Sequence, residues 1–166
     1  MRVFSFYVDN ELFAVDVNLV EKIVRKIPIT YIPAAPDAVS GIINLKGRVI
    51  TIFNLHELLG HKENQNYTIL KSANIANIVV FKSYSGSEEQ LGLIMDRPGT
   101  LTIINDEEIR LPSLTTGAKE SYCICGIAEI DNMLYRIIDI DSIINTYKNI
   151  GSITAENISN GGMYDN

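Results

Sequence analysis

The sequence predicts a mainly β fold made of two related modules. The first sign is the block Gly41-Ile-Ile-Asn-Leu-Lys-Gly-Arg-Val-Ile-Thr-Ile-Phe-Asn-Leu-His-Glu-Leu-Leu59, in which two β-branched apolar runs flank Lys46-Gly47. Glycine takes positive φ without steric cost, so this pair reads as a hairpin turn. Asn54 then stands where its side chain can cap a short helical turn carrying Leu55, Leu58 and Leu59, with Gly60 ending it. The second sign is repetition. Gly126-Ile-Ala-Glu-Ile-Asp-Asn-Met-Leu-Tyr-Arg-Ile-Ile-Asp-Ile-Asp-Ser-Ile-Ile144 aligns with that block without gaps, placing Asp131-Asn132 on the turn and Asp139 on the cap. The third is a hairpin ahead of each block: residues 4–8 and 11–15 around Asp9-Asn10, then residues 77–82 and 90–96.

In chain order, the first hairpin ends at Asp16. Asn18 and Glu21 then have the spacing of a capping box, which predicts a short helical segment over residues 19–22 before strand character returns at residues 23–27. Pro33 and Pro36 forbid helix interior and central strand, so residues 29–36 read as an extended connector at a sheet edge. Lying between two strands, their P-x-x-P spacing is structural and not a ligand for SH3-type grooves. A polar stretch at residues 61–67 places the module boundary near residues 61–72, and residues 83–89 form another polar loop around Gly86. Residues 105–121 lack clear periodicity and read as a surface loop. After Asp139, Ile140, Ile143, Ile144 and Tyr147 recur at helical spacing, with Asp141 a further candidate cap and Gly151 a stop. Residues 151–166, rich in Gly, Asn and Ser, read as a flexible tail.

The 166 residues are 46% hydrophobic, enough for one domain or two small fused barrels sharing a core. A net charge of −6, with 14 basic residues spread along the chain, argues against nucleic acid as partner. No secretion signal opens the chain, and no run approaches the ~18 apolar residues needed to span a bilayer. Cys123 and Cys125, two apart in a strand, would share a face and bridge poorly; a reduced, cytoplasmic protein follows.

Nothing in the sequence arms an active site. His56-Glu-Leu-Leu-Gly-His61 misses the zinc-hydrolase pattern, because its second His comes one position late, about 100° round a helix. Exposed histidines at a helix end are the expectation. Cys123 and Cys125 lack a second ligand pair, Asp139 and Asp141 read as caps, and Asp96-Arg97 as a local ion pair. Neither a glycine-rich phosphate loop nor a nucleophile elbow occurs. The expectation is no enzyme, no cofactor and no metal.

Ile32-Pro-Ala-Ala-Pro36 followed by the Gly41–Leu55 run resembles the signature of CheW-like domains, approximately P-x-x-P and then G-v-i-n-l-R-G-x-v-l-P-v-i-D-L. Glu11-Leu-Phe-Ala-Val-Asp16 with Val20, Leu91-Gly-Leu-Ile-Met-Asp96 and the closing Gly126–Asp139 block extend the resemblance over residues 1–150. The family's turn Arg is Lys46 here, its Pro is Thr51 and its Asp is Asn54; lysine keeps the charge but lacks the planar fork. The resemblance implies two five-stranded SH3-like barrels on a common core, with short helices and a C-terminal helix. It also implies a non-catalytic adaptor joining chemoreceptor signalling tips to the histidine kinase CheA at membrane-bound arrays. The same module can serve a chemosensory pathway whose output is not motility. Carried over by position, the receptor side is Val20, Gly41, Lys46, Gly92 and Leu101, and the kinase side, through the regulatory domain of CheA, is Glu11 and Val17.

Overall fold

Three tight turns organise the strands, and each has positive φ at both central residues: Asp9-Asn10, Lys46-Gly47 and Asp131-Asn132. That geometry matches the right-handed twist of the strands it joins. The computed structural model describes residues 1–60, 75–83, 89–113 and 122–147. The strands are β1 (Arg2–Val8), β2 (Glu11–Asp16), β3 (Val20–Pro28), β4 (Val39–Leu45), β5 (Arg48–Phe53), β6 (Ile75–Phe81), β7 (Gln90–Met95), β8 (Arg97–Ile103), β9 (Ile124–Ile130) and β10 (Met133–Ile138). Two short helices follow β5 and β10: α1 (Leu55–Leu58) and α2 (Ile140–Thr146).

Each sheet has five strands, in the orders β8-β1-β2-β10-β9 and β3-β6-β7-β5-β4. Each contains one parallel pair, β2 with β10 and β5 with β7, amid antiparallel neighbours. The hairpin β1–β2 therefore lies in a sheet otherwise built from the second half of the chain, and β6–β7 in one built from the first.

The repeat seen in the sequence is also a repeat of pairing. In β4–β5 the partners are Val39 with Phe53, Gly41 with Ile52 and Leu45 with Arg48. In β9–β10 they recur as Ile124 with Ile138, Gly126 with Ile137 and Ile130 with Met133. Both ladders skip one residue near their start, Ser40 in one and Cys125 in the other. Asn54 Oδ1 accepts from the His56 backbone N–H at 2.9 Å, and Asp139 Oδ1 from that of Ser142 at 3.2 Å. Thr51 lies mid-strand, opposite Ile42 and Leu91.

An isolated bridge draws the connector after the edge strand onto the far edge of each sheet: Thr30 to Ile42, and Arg110 to Ile127. Glycine is needed there. A Cβ on Gly41 would lie 2.2 Å from the Thr30 carbonyl oxygen, and Gly41 has φ +148°. Each curled sheet encloses its own apolar cluster, one around Ile43, Ile50, Ile52 and Ile78, the other around Val3, Leu12, Tyr135 and Ile137. A third and larger cluster lies between the sheets. Phe6, Phe13, Phe53, Phe81, Leu93 and Met95 fill it, and α1 and α2 join through Leu55, Leu58, Ile140 and Ile143. Alternate residues of β1, β2, β6 and β7 thus serve a barrel interior and the shared core, so these strands are apolar on both faces.

Several local expectations are corrected. The helical segment expected over residues 19–22 stands earlier and is shorter. Asp16 accepts from the Asn18 N–H and caps a single 3-10 turn, Val17–Leu19, after which β3 begins at Val20. The strand wins because Glu21 turns to Arg48 across the sheet instead of back to Asn18. β8 occupies a stretch where Pro98 and Gly99 conceal strand character; Pro98 is tolerated because β8 is an edge. Within residues 105–121, Asp106–Glu108 forms a 3-10 turn, while residues 114–121 lie outside the described residues. The skipped residue at Cys125 puts it on the exposed side while Cys123 is buried, so the two do not share a face. His56 is buried, with Nε2 3.9 Å from Asp9 Oδ2. Asp96 and Arg97 turn to different partners: Asp96 Oδ2 accepts from the Asp9 N–H, and Arg97 lies over the Tyr7 ring at 3.5 Å. His61, the boundary at 61–72, Gly86, Gly151 and the tail lie outside the described residues.

Gly41→Ala is expected to lower stability by about 3 kcal/mol or more, because the new methyl meets backbone that cannot turn aside. Gly47→Ala, where a Cβ would meet nothing within 4 Å, should cost about 1 kcal/mol, from its positive φ alone. Chemical denaturation of both variants measures the difference.

Candidate functional site

The tip of the β4–β5 hairpin carries an exposed cation on a rigid support. Asn44 Oδ1 accepts from the Gly47 N–H at 2.9 Å, which pins the turn and leaves Lys46 in solvent at φ +52°. Beneath it, Gly41, Ile52 and Gly92 stand opposite one another across β4, β5 and β7. A Cβ on Gly92 would lie 2.7 Å from Ile78 Cγ2 and 2.9 Å from Ile52 Cδ1. The space beside both glycines is therefore filled by the chain itself, and the two fix the spacing of the strands below Lys46.

Val20 opens β3, the far edge strand of the same sheet, and packs half-buried against the shared core. Leu101 lies on β8, the edge of the other sheet, 61% exposed. Ile103, two residues on and so on the same face of the strand, is 68% exposed. Gly41 and Gly92 thus share one row of the sheet, and Lys46 stands at the hairpin tip, four rows further along the β4–β5 ladder. Val20 shares their sheet, and Leu101 stands on the other. Glu11 and Val17 lie at opposite ends of β2; Glu11 pairs with Arg136 at 3.4 Å, and Val17 packs on the shared core.

A group that sequence reasoning missed lies beside Lys46. Arg48 Nη2 donates to Glu21 Oε1 at 2.6 Å, and its Nη1 donates to Glu21 Oε2 at 3.3 Å and to Gln90 Oε1 at 2.7 Å. Gln90 Nε2 in turn donates to Glu21 Oε2 and to the Phe81 carbonyl. Three strands are tied together: Glu21 on β3, Arg48 on β5 and Gln90 on β7. Arg48 alternates with Ile50, which faces the barrel interior, so the group roofs one end of that barrel. The sequence signal was a charged or polar residue at or next to the start of each of three strands. The Arg48 hydrogen bond holds the Glu21 carboxyl below its ordinary range; burial opposes this more weakly.

Reactive chemistry finds little footing among the described residues. No group of three His, Cys, Asp or Glu side chains is placed to hold a metal ion. Partial desolvation of the sulfur, with the nearby Asp139 carboxylate, pushes the Cys125 thiol up, away from the reactive thiolate. No described helix is long and apolar enough to cross a membrane.

A family model described as the CheW-like domain matches residues 2–148. The chain belongs to the CheW-like domain family. Among its relatives, the chemotaxis protein CheW of Thermotoga maritima is 28% identical over 145 residues, 86% of this chain and 87% of that protein. The chemotaxis protein CheW of Treponema pallidum is 27% identical over 145 residues, 86% of this chain and 81% of that one. The crystal structure of the scaffolding protein TtCheW from Thermoanaerobacter tengcongensis superposes with a TM-score of 0.67 at 26% identity, covering 83% of this chain and 88% of that one. A CheW-like architecture of two five-stranded sheets around a common core accounts for nearly every described residue.

Because its folded pKa is depressed, Glu21 contributes stability that is complete above its ordinary value of 4.5 and is lost as pH falls below it. Glu21→Gln is therefore expected to lower stability modestly at pH 7, where the contribution is complete, and to converge on wild type as pH falls below about 4.5, which flattens the acid limb of the profile. Thermal melts from pH 3 to pH 7 measure this.

Proposed function

We propose that the chain is a non-catalytic chemotaxis adaptor that couples chemoreceptor signalling tips to the histidine kinase CheA. The observation that carries this reading is the CheW-like family match across residues 2–148. The molecule's chemistry suits it, since it offers edges and hairpin tips as contact surfaces and few groups armed to react. A receptor tip is a helical bundle, and a helix of that bundle can lay apolar residues on Val20 and Leu101 while an acidic residue meets Lys46. Gly41 and Gly92 act from beneath, by holding the strands that carry the tip. Lys46 is a point charge and not a bidentate fork, so its contact is monodentate and sensitive to salt. Glu11 and Val17 serve the regulatory domain of CheA along β2. The adaptor works in the cytoplasm at membrane-bound receptor arrays and inserts no segment into the bilayer.

Lys46→Glu tests the receptor side. The variant should keep the wild-type melting temperature and its affinity for CheA, and lose about tenfold or more in affinity for a purified receptor cytoplasmic fragment, as one charge contact becomes repulsive. Calorimetric titration against both partners reads this out. Wild-type protein that is folded yet binds neither partner would sink the reading.

A further inference from the structure

We infer that Arg48, Glu21 and Gln90 are positioning residues, holding the Lys46 tip and the Val20 edge in fixed relation for the receptor helix. This rests on the coupling reading above and goes beyond it by naming residues that touch no partner.

The internal repeat supplies the control. The place of Arg48, paired with Leu45, is taken in the second barrel by Met133, paired with Ile130. The place of Gln90, beside Ile50 in the parallel pair, is taken by Leu12, beside Tyr135. Glu21 falls in the irregularity between Val20 and Lys22 on β3; the matching irregularity on β8 holds Gly99 and Thr100. The equivalent positions of the second barrel therefore carry no charge, while the first barrel places a charged group there. Closing the barrel does not require the charges, and taking an ion pair partly out of water gains little stability over apolar packing.

What the charged version adds is geometry. Arg48 is two residues from Lys46, and Glu21 adjoins Val20. A bidentate guanidinium–carboxylate contact fixes both distance and plane, and Gln90 locks each partner from β7. The cationic tip and the apolar edge, which lie on strands separated by β6 and β7, are thereby held at one spacing. A rigid helix that must meet both at once gains from having that spacing set beforehand.

The test transplants the second barrel's solution into the first: the triple variant Glu21→Thr, Arg48→Met, Gln90→Leu, in the full-length chain. Its melting temperature at pH 7 should stay within a few degrees of wild type, and its affinity for CheA should be unchanged. Its affinity for the receptor cytoplasmic fragment should fall about tenfold or more. Arg48→Lys, which keeps the charge and loses the fork, should fall between the two. A triple variant that binds the receptor fragment as wild type does would overturn the inference and leave the coupling reading standing. So would one that melts far lower and loses both partners alike, since that marks a purely structural role. Wild-type protein that binds CheA but no receptor fragment would overturn the receptor half of the coupling reading, and this inference with it.

Discussion

The apolar layer between the two sheets is the constraint from which the rest of the architecture follows. Each sheet curls around a small interior cluster, but its central strands also turn large side chains outward. Phe6, Phe13, Phe81 and Leu93 are all essentially inaccessible, covered by the opposite sheet and the two short helices. Burial on that scale is the dominant favourable term in folding, so neither barrel is a separate unit. Tyr147, whose ring centroid is 5.1 Å from that of Phe53, ties the end of α2 into the same layer. With both faces of the middle strands committed, the edges, the hairpin tips and the outer sides remain for partners. The residues proposed for receptor recognition divide accordingly, with Val20 half-buried at an edge. Lys46 and Leu101 are exposed at a tip and an edge, and Gly41 and Gly92 are buried beneath.

Duplication gives the molecule two copies of one solution, and the differences between the copies are more informative than the likenesses. The glycine beneath the closing bridge, the skipped residue and the helix cap recur as Gly41 and Gly126, Ser40 and Cys125, Asn54 and Asp139. These are demands of the backbone and are met twice. The turn tips differ, with a lysine and glycine in one and an aspartate and asparagine in the other, and so do the barrel ends, one with a charged group and one without. A feature present in one copy of a repeated fold and dispensable in the other is most simply explained by what that copy contacts.

The sequence made the hairpins legible because turn chemistry is local. Asp9-Asn10, Lys46-Gly47 and Asp131-Asn132 announce positive φ within two residues, and the gapless block announced the repeat. What it concealed was non-local. Glu21 has the spacing of a capping residue, and only the arrival of Arg48 from β5 makes it a strand residue facing a guanidinium. β8 was hidden by Pro98 and Gly99, which are acceptable on an edge that sequence alone does not reveal. Cys123 and Cys125 obey simple alternation on paper, and the skipped residue breaks it. Of the candidate site, the cation at Lys46 could be read in advance from its turn, whereas Leu101 came from the resemblance alone. The support under the tip could not, since it depends on which strands become neighbours.

The exchange of hairpins between the halves has a further consequence, for biosynthesis. β1 pairs with β8, so Arg2 must wait for Ile103, and the amino terminus donates to the Ile104 carbonyl at 2.8 Å. A ribosome that has finished the first half has made neither sheet in full. The nascent polypeptide therefore carries unpaired strand edges until β8 and then β10 emerge, and loop-closure entropy over about a hundred residues must be overcome before those pairings form. Completion of that sheet therefore comes late, once β10 is available, although the molecule is small.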